Sequence, residues 1–167
     1  MNFDLIELAP CHYEATRAIY NFYITNTNAT PEGKERSRKE HEQVIGDFLC
    51  AYVACEEGQV RGFAFIKPYA KGLESFDPAV EIGVYMHHAS FCRGGGSQLA
   101  IQALTQAMLM KKHTAVAKID ADNLSSIALF SKLGFQQVAF LREIGLKRGV
   151  RVTVVYMQLM LSGWNPI

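Results

Sequence analysis

The chain has 167 residues, with 17 Lys and Arg set against 16 Asp and Glu. Apolar residues make up 49% and charged residues 20%, a composition that fits one ordinary domain, residues 1–167, with its own core. Near-neutral charge gives no basic footprint for a nucleic-acid partner.

In chain order, Phe3 to Leu8 reads as a short first strand. From His12 to about Asn26, the apolar positions Ala15, Ile19, Phe22 and Tyr23 recur at helical spacing. Asn26 to Gly33 carries turn residues that stop this helix. The charges from Lys34 to Lys39 are interleaved with Glu35 and predict a solvated loop or helix start. Ser37 with Glu40 makes a capping box for a second helix through Val44, Ile45 and Phe48. Ala51 to Cys55 and Val60 to Pro68 form a hairpin around Glu56-Glu57-Gly58-Gln59. Ala79 to His87 is a third apolar run, followed by Arg93-Gly94-Gly95-Gly96. An amphipathic helix comes next, with Leu99, Ala100, Ala103, Leu104, Ala107 and Met108 on one face. A strand from Ala115 to Ala121, a helix from about Leu124 to Leu133, and strands near Phe135 to Leu141 and Val150 to Leu161 complete the order. The sum is an α/β fold, a mixed sheet with flanking helices and a parallel crossover at its middle. No repeat or linker is visible.

Met1 to Glu7 lacks a basic region followed by an apolar stretch, and no run of about 18 apolar residues occurs, so neither a secretory leader nor a membrane span is expected. A cytoplasmic location follows as the expectation. Cys11, Cys50, Cys55 and Cys92 show no paired short spacing and are expected as buried reduced thiols. His87 and His88 lack a third ligand close by in sequence, so they read as surface or loop histidines, with no metal.

The glycine loop between a strand and a helix suits an anion. The first helical N–H groups lack intrahelical partners, the helix dipole is positive there, and glycine lets a pyrophosphate approach closely. Arg93 adds a charge and Ser97 a hydroxyl. Taken alone, the loop fits a bland tight turn equally well. A dinucleotide fold fails for want of the third glycine of G-x-G-x-x-G, and a phosphate-binding P-loop for want of Gly-Lys-Ser or Gly-Lys-Thr.

Three segments together carry a resemblance: Glu81-Ile-Gly-Val-Tyr-Met, Arg93-Gly-Gly-Gly-Ser-Gln-Leu, and Asp122-Asn-Leu-Ser-Ser-Ile-Ala-Leu-Phe-Ser-Lys-Leu-Gly-Phe135. In order and spacing they resemble the GNAT superfamily of N-acetyltransferases. Ile19-Tyr-Asn-Phe-Tyr-Ile-Thr-Asn-Thr-Asn-Ala-Thr30 and Ile144-Gly-Leu-Lys-Arg-Gly149 with Tyr156-Met-Gln158 resemble its phosphinothricin acetyltransferase branch. The likeness runs from about residue 3 to residue 161. It implies acetyl-CoA as co-substrate, a small amine as acceptor and a homodimer. It also implies that backbone N–H groups of Cys92, Arg93, Gly94, Gly95, Gly96 and Ser97 hold the pyrophosphate. Val84, Tyr85 and Met86 would offer backbone groups to the pantetheine arm, and Asn123 would bond it from the other side. Thr30 falls in the acceptor-lining loop. Two positions on the cofactor side depart from the family: Phe91 opens the pyrophosphate signature where Gln or Arg is usual, and Phe130 stands where Tyr or His gives the leaving thiolate a proton.

Direct transfer needs a neutral amine, and a free α-amino group has a pKa of roughly 8, so a base helps near neutral pH. Glu81 interrupts an apolar strand between Val80 and Ile82. On the residues alone a solvent-facing glutamate fits as well; the resemblance implies the base, acting through water. Tyr156 is one alternative source of the missing thiolate proton. Arg151 stands where relatives carry Trp at the acceptor mouth, either pairing with a substrate carboxylate or simply exposed on its strand. Two other functions stay open: a peptide or protein N-acetyltransferase, and a non-catalytic acyl-CoA-binding module.

Overall fold

A computed structural model describes residues 3–91 and 94–165. Seven strands form one sheet in the order β1-β2-β3-β4-β5-β7-β6. They are β1 (Asp4–Glu7), β2 (Cys50–Glu56), β3 (Gln59–Pro68), β4 (Ala79–Met86), β5 (Thr114–Asp120), β6 (Gln136–Lys147) and β7 (Val150–Met160). Helices α1 (Tyr13–Asn26), α2 (Arg38–Ile45), α3 (Gly95–Leu109) and α4 (Leu124–Lys132) complete the fold. The α/β architecture and the order of elements agree with the sequence reading. β6 runs well past its expected end at Leu141, because a register shift between Leu141 and Gly145 lets the strand resume and pair Leu146 with Arg151.

The two faces of the sheet bury different side chains. One carries the stripe of α3, where Leu99, Ala100, Ala103, Leu104 and Ala107 are fully buried against Ile66, Val80 and Ile82. Alanines on that stripe let the helix lie close to the strands. The other face carries Ile19, Tyr20 and Ile24 of α1 over Val53, Phe63 and Phe65. The Ser37–Glu40 capping box starts α2 as expected, and a buried Thr16–His41 hydrogen bond of 3.0 Å ties α2 to α1.

Function is positioned by one irregularity. β4 and β5 pair in parallel only from Ala79–Thr114 to Glu81–Val116. Past Glu81 the two strands part, and the half-buried backbone groups facing the gap are left without ladder partners, open to water or a ligand. α3 is the crossover between these strands, so its N-terminus opens onto the same gap.

Candidate active site

Two cavities flank the fork. The first, about 520 Å³, runs between the parted strands, lined by Ile82–Met86, Ala117–Asp120, the start of α3 at Gly94–Ser97, and Asn123. The second, about 460 Å³, lies under residues 28–32, the hairpin residues 144–147, and Tyr20, Arg36 and Tyr156. Phe65, Glu81, Tyr85, Lys118, Ile119 and Asp120 line both. The cavities therefore meet at the point where β4 and β5 separate.

Backbone geometry decides what β4 can offer the first cavity. His87 N–H donates to Arg61 and Tyr69 N–H donates to Ala79 across the β3–β4 ladder. By antiparallel alternation, Tyr85 turns its backbone groups to β3, whereas Val84 and Met86 turn theirs to the gap. Met86 is already engaged: the Tyr23 hydroxyl donates to its carbonyl at 2.7 Å and accepts from its N–H at 3.2 Å. Burial pushes the Tyr23 phenol up to about 12, against the pull of its Met86 hydrogen bond, so it meets the strand as a neutral hydroxyl. Of the three expected β4 residues, Val84 is the one that presents free backbone groups to the gap among the described residues.

The three glycines divide the work. Gly94 is the N-cap of α3 at φ +85, a conformation L side chains rarely adopt, with open space beside it. Gly95 faces the core, where an added Cβ would stand 2.7 Å from Met86 and 2.8 Å from Phe3. Gly96 faces the groove, and a Cβ there would meet Met86, Leu129 and Val84 at 3.6–3.8 Å. Cys92 and Arg93 lie outside the described residues. Asn123 lines the first cavity, but its Oδ1 caps α4 by accepting from Ser126 N–H at 3.2 Å and Ser125 Oγ at 3.0 Å. Only its amide NH₂ is left to donate.

Glu81 stands at the fork with its side chain 16% exposed, bonded to Lys67 at 3.1 Å and Lys118 at 2.8 Å. Its surroundings thus differ from the expected apolar slot. The neighbours in sequence are apolar, yet β3 and β5 each bring a lysine to the same face. Burial opposes the charge on Lys118, but its hydrogen bond to Glu81 and the attraction of that carboxylate hold its pKa above the ordinary lysine value. Phe130 is buried against Phe135 and lines the first cavity, with no proton to give. Tyr156 lines the second cavity and not the first.

At the acceptor side, Thr30 is buried and lines the second cavity, with its carbonyl and hydroxyl both accepting from Lys147. Arg151 is exposed on β7. The β7 residues lining the cavity are Val152, Val154 and Tyr156, so strand alternation puts Arg151 on the opposite face. Arg36, expected in a solvated run, instead turns inward. Its side chain is 12% exposed, its guanidinium bonds Glu32 with Nε at 2.8 Å, and it lies 3.8 Å over the Tyr20 ring. Arg36, Tyr23, Lys67, Lys118 and Lys147 are the lining groups that sequence reasoning missed. Of these, Tyr23 and Lys147 stand in segments that carried the resemblance, whereas Arg36, Lys67 and Lys118 had no local signal.

His87 and His88 stack on each other with ring centroids 4.3 Å apart, and His88 stacks on Phe22. Among the described residues no group of three or more His, Cys, Asp or Glu is placed to hold a metal. Cys55 is buried as expected, whereas Cys11 is exposed because it falls in the turn before α1. Cys92 again lies outside the described residues. No helix among the described residues is long and apolar enough to cross a membrane.

The sequence profile of the acetyltransferase (GNAT) family matches residues 14–135. The L-methionine sulfoximine/L-methionine sulfone acetyltransferase of Salmonella typhimurium is 34% identical over 154 residues, 89% of this chain and 88% of that one. A ribosomal-protein-alanine N-acetyltransferase structure from Brucella melitensis superposes with a TM-score of 0.89 at 28% identity, over 94% of this chain and 99% of that one. A GNAT superfamily phosphinothricin acetyltransferase from Sinorhizobium meliloti, solved in complex with acetyl-CoA, gives a TM-score of 0.93 over 100% and 94% of the two chains. At 23% identity that likeness is one of fold.

Proposed function

The chain belongs to the acetyltransferase (GNAT) family, and we propose that it moves acetyl from acetyl-CoA directly onto the amine of a small amino-acid-like acceptor, of the methionine sulfone or phosphinothricin kind. The observation that carries this reading is the meeting of two cavities at Glu81, where β4 and β5 part. One cavity has the backbone donors that a long phosphorylated cofactor needs; the other has the charged walls that a small polar acceptor needs.

The residues present fit acetyl-CoA. The free N–H groups at the start of α3 lie at the positive end of a 15-residue helix and suit a pyrophosphate. Val84 offers an unpaired N–H and C=O to the amide-bearing arm, and the NH₂ of Asn123 reaches it from the other wall. Cys92 and Arg93 precede this loop in sequence and belong to the same proposed contact. Bound there, acetyl-CoA supplies an activated thioester.

The chain's own groups do the rest. Glu81 accepts the proton of the incoming amine through water, with Lys67 and Lys118 fixing the direction of its two oxygens. Lys118 reaches both cavities, and its ammonium stabilises the negative charge that departs on sulfur, in place of the hydroxyl absent at Phe130. A fixed cation beside the departing sulfur stabilises the charge that develops there. The small volume and charged walls of the second cavity favour a free small acceptor over a polypeptide chain. Retention of Glu81 at the fork favours a catalyst over a passive binding module.

We extend the proposal to a homodimer. β6 is an edge strand, and Val138, Phe140, Ile144, Leu146 and Val150 of the β6–β7 hairpin are each at least half exposed. A second copy covering this row explains it better than open water does.

The test is acetyl transfer measured across free amino acids, simple amines and short peptides. Turnover of free amino acids is expected. Turnover of peptides alone, or of nothing, overturns the reading.

A further inference from the structure

Most charged groups lining the second cavity are matched, and among the described residues Asp120 and Lys147 are the two that no ion pair holds. Arg36 bonds Glu32, and Lys67 and Lys118 share Glu81. Lys147 is different. Only 5% of it is exposed, and its ammonium donates to the Thr30 carbonyl at 2.8 Å and to the Thr30 hydroxyl at 3.0 Å. Among the described residues no carboxylate comes within ion-pair distance of it. An ammonium has three N–H groups, so one remains without a protein partner there.

A buried cation held only by neutral oxygens is costly. Burial and the nearby Arg148 press the pKa of Lys147 below its ordinary value, although Glu32 and Asp120 draw it back. The site is also built: two acceptors on one residue fix the direction of the ammonium, and Arg148 clamps the same hairpin to α1 by bonding the Thr25 carbonyl and Asn28 Oδ1. Lys147 and Glu81 line one cavity. An acceptor whose amine points to Glu81 can therefore present a second, anionic group to Lys147.

We propose that Lys147 is the specificity residue that takes the carboxylate of the acceptor amino acid through its unpartnered N–H. The inference rests on the second cavity being the acceptor's. It deepens that reading by naming the side chain that recognises the acceptor's carboxylate. Arg151, expected in this role, lies on the other face of β7.

The experiment compares L-methionine sulfone with its decarboxylated amine, both in turnover with acetyl-CoA and in calorimetric binding to the protein–CoA complex, where no turnover is needed. The wild type should prefer the amino acid. Lys147→Met should raise Kd and KM for the amino acid about tenfold to a hundredfold, the range of a hydrogen bond to a charged group, and leave the amine nearly unchanged. Thr30→Val removes one of the bonds holding Lys147 but keeps the ammonium, so it should retain the preference. Equal losses on both acceptors in a folded Lys147→Met protein overturn the proposal, since a merely structural lysine would act on both. A wild type that binds the two acceptors equally also overturns it, with no variant required. Equal acetylation of both acceptors sinks this inference and leaves acetyl transfer standing. Preferential binding of the amino acid without any turnover does the reverse.

Discussion

The two cavities are made of different material. The cofactor-side cavity offers main chain for binding: a helix N-terminus with its glycine run and the unpaired backbone of a parted strand. The acceptor-side cavity is mostly side chain, with four cations, three carboxylates and aromatic rings drawn from α1, the loop after it, three central strands and the last hairpin. A backbone site binds any ligand with the right spacing of amides and phosphates. A side-chain site selects by charge, and its selectivity changes with single residues. This contrast says where a substitution should cost rate, where it should cost stability, and where it should change the choice of acceptor.

The largest expected effect lies where the two cavities join. Glu81→Gln should lower kcat/KM by about 10²–10⁴, the usual worth of a general base. The loss should be greatest at low pH, where the amine stays protonated, and should shrink as the pH approaches the amine's own pKa of roughly 8. A pH–rate profile that is scaled down without change of shape would assign Glu81 to positioning its lysines instead.

Next come the glycines, which separate folding from binding inside the backbone cavity. Gly95→Ala should cost about 1–3 kcal/mol in denaturant unfolding, as overpacking does, because its Cβ would stand 2.8 Å from the Phe3 ring, which cannot swing aside as the Met86 methyl can. Gly96→Ala should leave stability within about 0.5 kcal/mol and instead raise KM for acetyl-CoA. The opposite pattern would mean that α3 enters the sheet differently.

These glycines also show what was legible in the sequence. A strand, a glycine run and an amphipathic helix are local patterns, so the crossover and its ligand side were visible from one stretch of chain. Which glycine does what was not, because Phe3 and Met86 come from elsewhere. Glu81 was visible as a polar break in an apolar run, but its lysine partners were not, since Lys67 and Lys118 reach it only through the register of three strands. The acceptor cavity was least legible. Arg36 and Lys147 look like ordinary surface charges until residues 28–32 and the hairpin close over them.

Tyr23→Phe sharpens the comparison from the side-chain direction, because here a side chain has occupied the backbone site. Losing the hydroxyl frees the N–H and C=O of Met86 for a ligand. Acetyl-CoA should then bind more tightly, by no more than about tenfold, which is the net worth of one hydrogen bond. Weaker binding in calorimetry would show that Tyr23 holds β4 in its receptive shape and does not compete with the ligand.

The smallest expected effect is at Arg151, four residues from Lys147 and opposite in setting. Both are cations of the same hairpin, yet one is buried against Thr30 and the other stands in solvent on the far face of β7. Exposed charges interact through water and are screened by salt within about 10 Å at 0.1 M, so Arg151 has little leverage on a carboxylate inside the cavity. Arg151→Ala should change KM for L-methionine sulfone and for its decarboxylated amine by less than about twofold, the scale of a surface substitution. Raised salt should leave the difference between the two acceptors in place, because the buried ammonium that creates it is shielded from ions. A selective rise in KM for the amino acid in Arg151→Ala, abolished by salt, would move carboxylate recognition from the wall of the cavity to its rim.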